Sequence, residues 1–195
     1  MVIQNRIHHM PAVMKNKVAF LFAFILFLSG CEKNDQSDYG LKQLVLFQVE
    51  YVNYAWGYSH SGIVIDSTGN VGYFRLPENW HSPDSLGYIS ESDMNDNFRQ
   101  IKDVEVTVTK EALVKYYNML PEASQGKLSE PYNRMFDAGV TVYSGFLYLP
   151  SIRKYKQVLI KQWGDWQIDN YSPEAEDIFK WLKIVYTGTL ESMRN

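Results

Sequence analysis

One cysteine, Cys31, and four histidines are all that the 195-residue chain offers as thiol or imidazole metal ligands. A single thiol excludes an intrachain disulfide framework. A zinc site takes three or four His, Cys or carboxylate ligands, and no spacing around His8, His9, His60 and His81 supplies one. Long apolar runs are missing too. The longest, residues 18–28 (VAFLFAFILFL), has eleven residues against the roughly 20 that span a bilayer. There is no basic surplus: 19 Lys and Arg stand against 22 Asp and Glu, a formal net charge of −3. Such a surface is repelled by phosphate polymers, so nucleic acid is not an expected partner. No residue pattern identifies a cofactor, and none is expected.

What the N-terminus does contain is an export signal. An apolar core of eleven residues falls within the roughly 7–15 of a signal peptide. Arg6, Lys15 and Lys17 precede or flank it, and residues 1–30 hold no Asp or Glu. Read from Met14, MKNKVAFLFAFILFLSGC is compact and complete, so residues 1–13 read as a mis-annotated start. Leu28-Ser29-Gly30-Cys31 resembles the lipobox of bacterial lipoproteins. The resemblance implies that residues 1–30 are cleaved as a signal peptide. Cys31 then becomes the first residue of the mature chain, its sulfur carrying a diacylglyceryl group beside a further acyl chain such as palmitate. Each buried methylene contributes about 0.8 kcal/mol, and two or more chains anchor a protein stably where one does not. The expected partner of Cys31 is therefore membrane lipid, and the expected location is the cell envelope, at the outer membrane. Residues 31–42, polar and without apolar periodicity, read as a flexible acylated tether. Glu32 and Lys33 behind the cysteine resemble sorting signals of surface lipoproteins in Bacteroidetes.

Loss of three basic residues with the signal leaves 16 Lys and Arg against 22 acids, a formal net charge of −6. Residues 43–190, about 150 in number, are the length of one domain with one core. Val45, Phe47, Val49 and Tyr51 alternate with Leu46, Gln48, Glu50 and Val52, the period of a strand. HSGIVID and VGYFRL around STGN form a hairpin pattern, VEVTVT a further strand, and AGVTVYSGFLYL with YKQVLIKQW a second hairpin followed by a short WQI strand. Between them, residues 75–97 are rich in Pro, Ser, Asp and Asn and read as a long loop with one short helical turn. Leu113, Tyr116, Tyr117 and Leu120 mark an amphipathic helix stopped by Pro121. Ser172, Pro173, Glu174 and Glu176 open a last helix with the stripe Ala175, Ile178, Leu182 and Val185, joined by Phe179 and Trp181. The pattern predicts an α+β fold: a mainly antiparallel sheet built from two hairpins, with one amphipathic helix in the middle and one at the C-terminus.

Candidate sites are few. Gly57-Tyr58-Ser59-His60-Ser61 lacks the final glycine of a nucleophile elbow and is followed by a strand pattern rather than a helix. His60 with nearby Ser59, Ser61 and Asp66 is the catalytic candidate of a small hydrolase. Asp93, Asn95 and Asn97 match the first, third and fifth ligands of a calcium loop, but Phe98 and Val104 stand where such loops need Gly and Glu. Aromatics are the compositional oddity, with 14 Tyr and 5 Trp. Most of these rings are expected in the core. Trp56 and Tyr58 beside His60, and Trp80 beside His81, are the expected ligand contacts, bordering one groove.

YAWG, ID..GNV and the ending GDW…SPEA…WL resemble small bacterial lipoproteins, a likeness that brings no activity and no functional residue with it. The expected function is that of a membrane-anchored, non-enzymatic binding module for a protein, peptide or glycan; the alternative is a small envelope hydrolase using His60. Replacement of the only thiol tests the anchor. Cys31→Ala is expected to abolish metabolic labelling with palmitate and to leave uncleaved precursor or released protein, and label retained by the variant contradicts attachment at Cys31.

Overall fold

The computed structural model describes residues 43–194. The signal at 1–30, the start at Met14, the attachment point Cys31 and the tether 31–42 lie outside the described residues. The β-period over residues 45–52 becomes strand β1 (Val45–Asn53). It pairs on one side with β2 (Ser59–Asp66), which turns through STGN into β3 (Asn70–Arg75). In that turn the Asp66 carboxylate accepts hydrogen bonds from the Thr68 and Asn70 amides and the Thr68 hydroxyl. After β3 come β4 (Tyr88–Ser90), α1 (Glu91–Phe98), β5 (Lys102–Thr107), α2 (Lys110–Tyr117) and α3 (Leu120–Ala123). The chain ends with β6 (Tyr132–Asn133), β7 (Val140–Leu149), β8 (Lys154–Gly164), β9 (Trp166–Asp169) and α4 (Pro173–Ser192).

The strands form one sheet in the order β5-β3-β2-β1-β7-β8-β9-β6, and β4 also pairs with β8. Neighbouring strands are antiparallel throughout the described residues. The α+β fold of two hairpins, a central helix and a C-terminal helix is the observed one. Two expectations need correction. Residues 75–97 hold a short strand and all but the last residue of an eight-residue helix, α1, capped by the Ser90 hydroxyl on the Asp93 amide. Only Met94 and Asn97 of α1 are buried, too few positions for a period to show. Pro121 does not close the central helix. That helix ends at Tyr117, and Pro121 occupies the first turn of α3, where its missing N–H costs nothing.

α2, α3 and α4 cover one sheet face, over Phe47, Val49, Ile63, Ile65, Val158 and Ile160. On the other face α1 and the segment before it cover Val64, Phe74, Phe146 and Tyr155. A bulge between Val45 and Phe47 turns both Leu46 and Phe47 to the helical side, so Leu46 is buried despite its alternating position. Gln43 fixes the entry to β1. Its amide donates to the carbonyls of Val45 and Phe146 and accepts from the Tyr117 hydroxyl and the Tyr148 amide. No described helix is long and apolar enough to cross a membrane.

α4 begins as expected, with the Ser172 hydroxyl accepting from the Ala175 amide. Trp181 is its main anchor. The ring meets Phe47 edge-on at 4.9 Å and stacks on Tyr116 at 4.4 Å, locking α4 to both the sheet and α2. Trp181→Ala is expected to destabilise the fold by about 3–5 kcal/mol in denaturant titrations, the cost of deleting a buried aromatic side chain.

Candidate functional site

Antiparallel pairing brings the β1–β2 turn (Asn53 against Ser59), the start of β7 (Val140 against Val52) and the β8–β9 turn (Gly164 against Val140) to one end of the sheet. The turns are tied to one another. Asn53, buried, donates from its amide to the Asp137 carbonyl and the Tyr51 hydroxyl. The Asp165 carboxylate accepts from the amides of Ala138 and Gly139 at 2.8 and 3.2 Å. Gly139 and Gly164 both have positive φ, and a Cβ on either would strike neighbouring backbone, at Val52 O and Gly139 O respectively. Other residues cannot make this close approach without displacing the turns.

This end is where the exposed rings collect. Trp56 and Phe136 are 82% and 83% exposed, Tyr54 and Tyr58 are 75% and 53%, and Trp166, Tyr132 and Trp163 stand beside the β8–β9 turn. No core packs on the two most exposed rings. Exposed rings gathered on tied turns make this end the candidate interaction site.

From the same end a polar chain runs into the sheet. Tyr58 Oη lies 3.0 Å from His60 Nδ1, and His60 Nε2 lies 2.7 Å from Glu50 Oε1. The Gln48 amide donates to Glu50 Oε2 at 2.8 Å. His60 is only 4% exposed. Its ring also meets Trp80 edge-on at 5.7 Å and Phe74 at 5.5 Å, while Tyr54 and Tyr58 lie 5.3 Å apart. A continuous run of rings thus leads from solvent to core.

Of the expected contacts, Trp56 and Tyr58 stand at the exposed end. Trp80 meets His60 but lies stacked on Phe74 at 4.2 Å, a packing role. His81 sits apart from this end in its bonding: its backbone exchanges two hydrogen bonds with the side chain of buried Asn97, and its ring is 3.7 Å from Asp93. Asp93, Asn95 and Asn97 are helical residues of α1, and Asn97 is committed to residue 81. Among the described residues no group of three His, Cys, Asp or Glu could hold a metal ion.

The hydrolase partners named from the sequence are corrected by geometry. Ser59 and Ser61 flank His60 on a strand and so point to the opposite sheet face, and Asp66 is spent on its turn. The hydroxyl and carboxylate at His60 come instead from Tyr58 and Glu50. Sequence reasoning missed Glu50 and Gln48, because the pairing Glu50 with Gly62 and Val52 with His60 is a register fact. Phe136 was missed because it stands apart from the other aromatic residues in a stretch without a strand or helix period. No family model, curated protein or solved structure matches the chain.

Chemically, phenol, imidazole and carboxylate in series can pass a proton, but both imidazole nitrogens are engaged and the ring is buried, which suits a fixed scaffold beneath the exposed rings. Glu50→Ala is expected to destabilise by about 1–3 kcal/mol by chemical denaturation, since it strands the buried His60 and Gln48 donors. Tyr58→Phe, at a half-exposed position, is expected to cost less than about 1 kcal/mol.

Proposed function

We propose that the chain is a lipid-anchored protein of the bacterial cell envelope, attached to the outer membrane through acylated Cys31, and that its domain is a non-enzymatic module recognising an envelope glycan or peptide. The observation that carries the recognition part is the gathering of Tyr54, Trp56, Tyr58 and Phe136 on a braced end of the sheet, with Trp56 and Phe136 more than four-fifths exposed. Large flat rings supply contact area at low entropic cost, and rigid turns remove the cost of ordering them. The anchor reading rests on the sequence LSGC at residues 28–31 and on its apolar core. Within the domain, nine-residue β1 runs from the described start of the chain to the aromatic turns, a separation of about 30 Å at strand rise.

Hydrolysis is the second reading, favoured by the Tyr58–His60–Glu50 series alone. The two separate by experiment. Trp56→Ala and Phe136→Ala are each expected to weaken capture of envelope glycan or peptide fragments at least about tenfold, as truncation of a ring at a contact centre does, with the melting temperature unchanged. Unchanged affinity in both variants removes the aromatic end from recognition. Turnover of an ester, amide or glycoside substrate that Tyr58→Phe abolishes would establish the hydrolase instead.

A further inference from the structure

Along β8 the register slips once: Tyr143 pairs with Lys161 but Ser144 pairs with Leu159, which leaves Ile160 as an extra residue. The bulge sends two consecutive side chains to the helical face. Ile160 joins the core cluster there, and the Lys161 ammonium lies 5.0 Å from the ring of Phe179 on α4. Without the extra residue Lys161 would point to the opposite face. Bulges re-aim side chains in this way beside functional sites.

Lys161 is held rather than free. Its side chain is 15% exposed, and its one hydrogen-bond acceptor among the described residues is Asp169, at 2.5 Å. Burial pushes the Asp169 carboxyl up, but hydrogen bonds from Lys161, Gln167 and Tyr132 outweigh it and hold the group below its ordinary value, hence ionised at neutral pH. Four contacts from those three side chains fill the carboxylate. An ammonium has three donors, so two of those on Lys161 remain. The residue lines two cavities of about 300 and 340 Å³ that share Lys161, Glu176 and Phe179. One runs toward Tyr171 and the start of α4; the other toward Trp163, Tyr143 and Lys183. From Ala175 to Lys183 this groove is about 12 Å long at helical rise.

The walls identify the class of occupant. Lys161 is paired with Asp169 and Glu176 with Lys180, which leaves Lys183 as the one lining charge without an ion-pair partner among the described residues, so no cluster of one sign marks an ion site. Lys161 is paired with Asp169 through β9, whose pairing with β8 closes the strand edge to an incoming peptide backbone. What remains is a set of rings (Trp163, Phe179, Tyr171) interleaved with donors and acceptors, which matches a neutral chain bearing many hydroxyls and flat C–H faces. We propose that the groove between α4 and β8–β9 binds a short neutral oligosaccharide, with Lys161 donating to its hydroxyls and Phe179 packing against its rings together with the part of Trp163 left open by Arg134, whose guanidinium lies 4.4 Å from that ring. This deepens the reading of the domain as a recognition module and assigns the sugar to a site apart from the exposed aromatic end.

The test uses the full chain in lauryldimethylamine oxide micelles, a detergent without a sugar headgroup, titrated with maltotetraose, cellotetraose and chitotetraose to about 10 mM, above the ~1 mM of weak specific binding. Ligand-observed NMR and tryptophan fluorescence read the binding. At least one sugar is expected to bind, and Lys161→Met to weaken it roughly 10–100-fold, the range for a hydrogen bond from a charged donor. Trp163→Ala, at a partly exposed ring that carries Arg134, is expected to weaken it with the fold retained and only a small fall in melting temperature, which keeps the test valid if Lys161→Met fails to fold. No binding of any of the three sugars overturns the groove. Sugar binding lost in Trp56→Ala and kept in Lys161→Met and Trp163→Ala also overturns it, while leaving the recognition reading standing.

Discussion

The pairing of β1 with β7 is the constraint on which the other features rest. The two hairpins form from local sequence, yet they lie more than sixty residues apart, and they become one sheet only when Phe47 meets Gly145 and Val52 meets Val140. Closing so long a loop costs entropy that apolar burial along β1 must offset. Phe47, Val49 and Leu46 supply that burial, all near zero exposure on the helical side. Gly145 has a further part: a Cβ there would lie 2.2 Å from Leu120, so its hydrogen lets α3 settle on the sheet at the junction of the hairpins.

The exposed aromatic end follows from this junction. Bringing the β1–β2 turn beside the start of β7 sets Trp56 and Phe136 on one end of the sheet, and Asp165 and Asn53 then stitch the turns together. The buried chain from Gln48 through Glu50 and His60 to Tyr58 rises from the strands beneath. Each member satisfies the next, and no described buried side-chain polar atom lacks a partner. A network so complete is rigid, and rigidity beneath exposed rings lowers the entropy lost on binding.

Two bulges, at Leu46 and at Ile160, show the same device serving different ends. The first adds a leucine to the core, while the second adds an isoleucine and in doing so turns a lysine into a groove. The lysine is tolerable there because Asp169 offsets its charge and because the aromatic rings of Phe179 and Trp163 accept a cation on their faces.

Local rules were enough for the elements that carry strong periods: β1, the two hairpins, the capped start of α4 and the α+β class all follow from alternation, turn residues and an N-cap, which act over a few residues. The loop before α1 and the break at Pro121 were harder to read. α1 buries only two residues, and a proline reads equally as a stop or as a first turn until the next helix is seen. The proposed anchor at Cys31 rests wholly on the sequence, since a signal peptidase would read an extended segment and not a fold. The candidate sites divide the same way. Trp56, Tyr58 and His60 stood out because they are neighbours in the chain. Glu50 beside His60, Phe136 beside the β1–β2 turn and Lys161 facing α4 were decided by register, by a long-range strand pairing and by one extra residue in β8. Those are properties of which strands meet and at what offset, and a side-chain period of two means that a single residue of slip exchanges the faces.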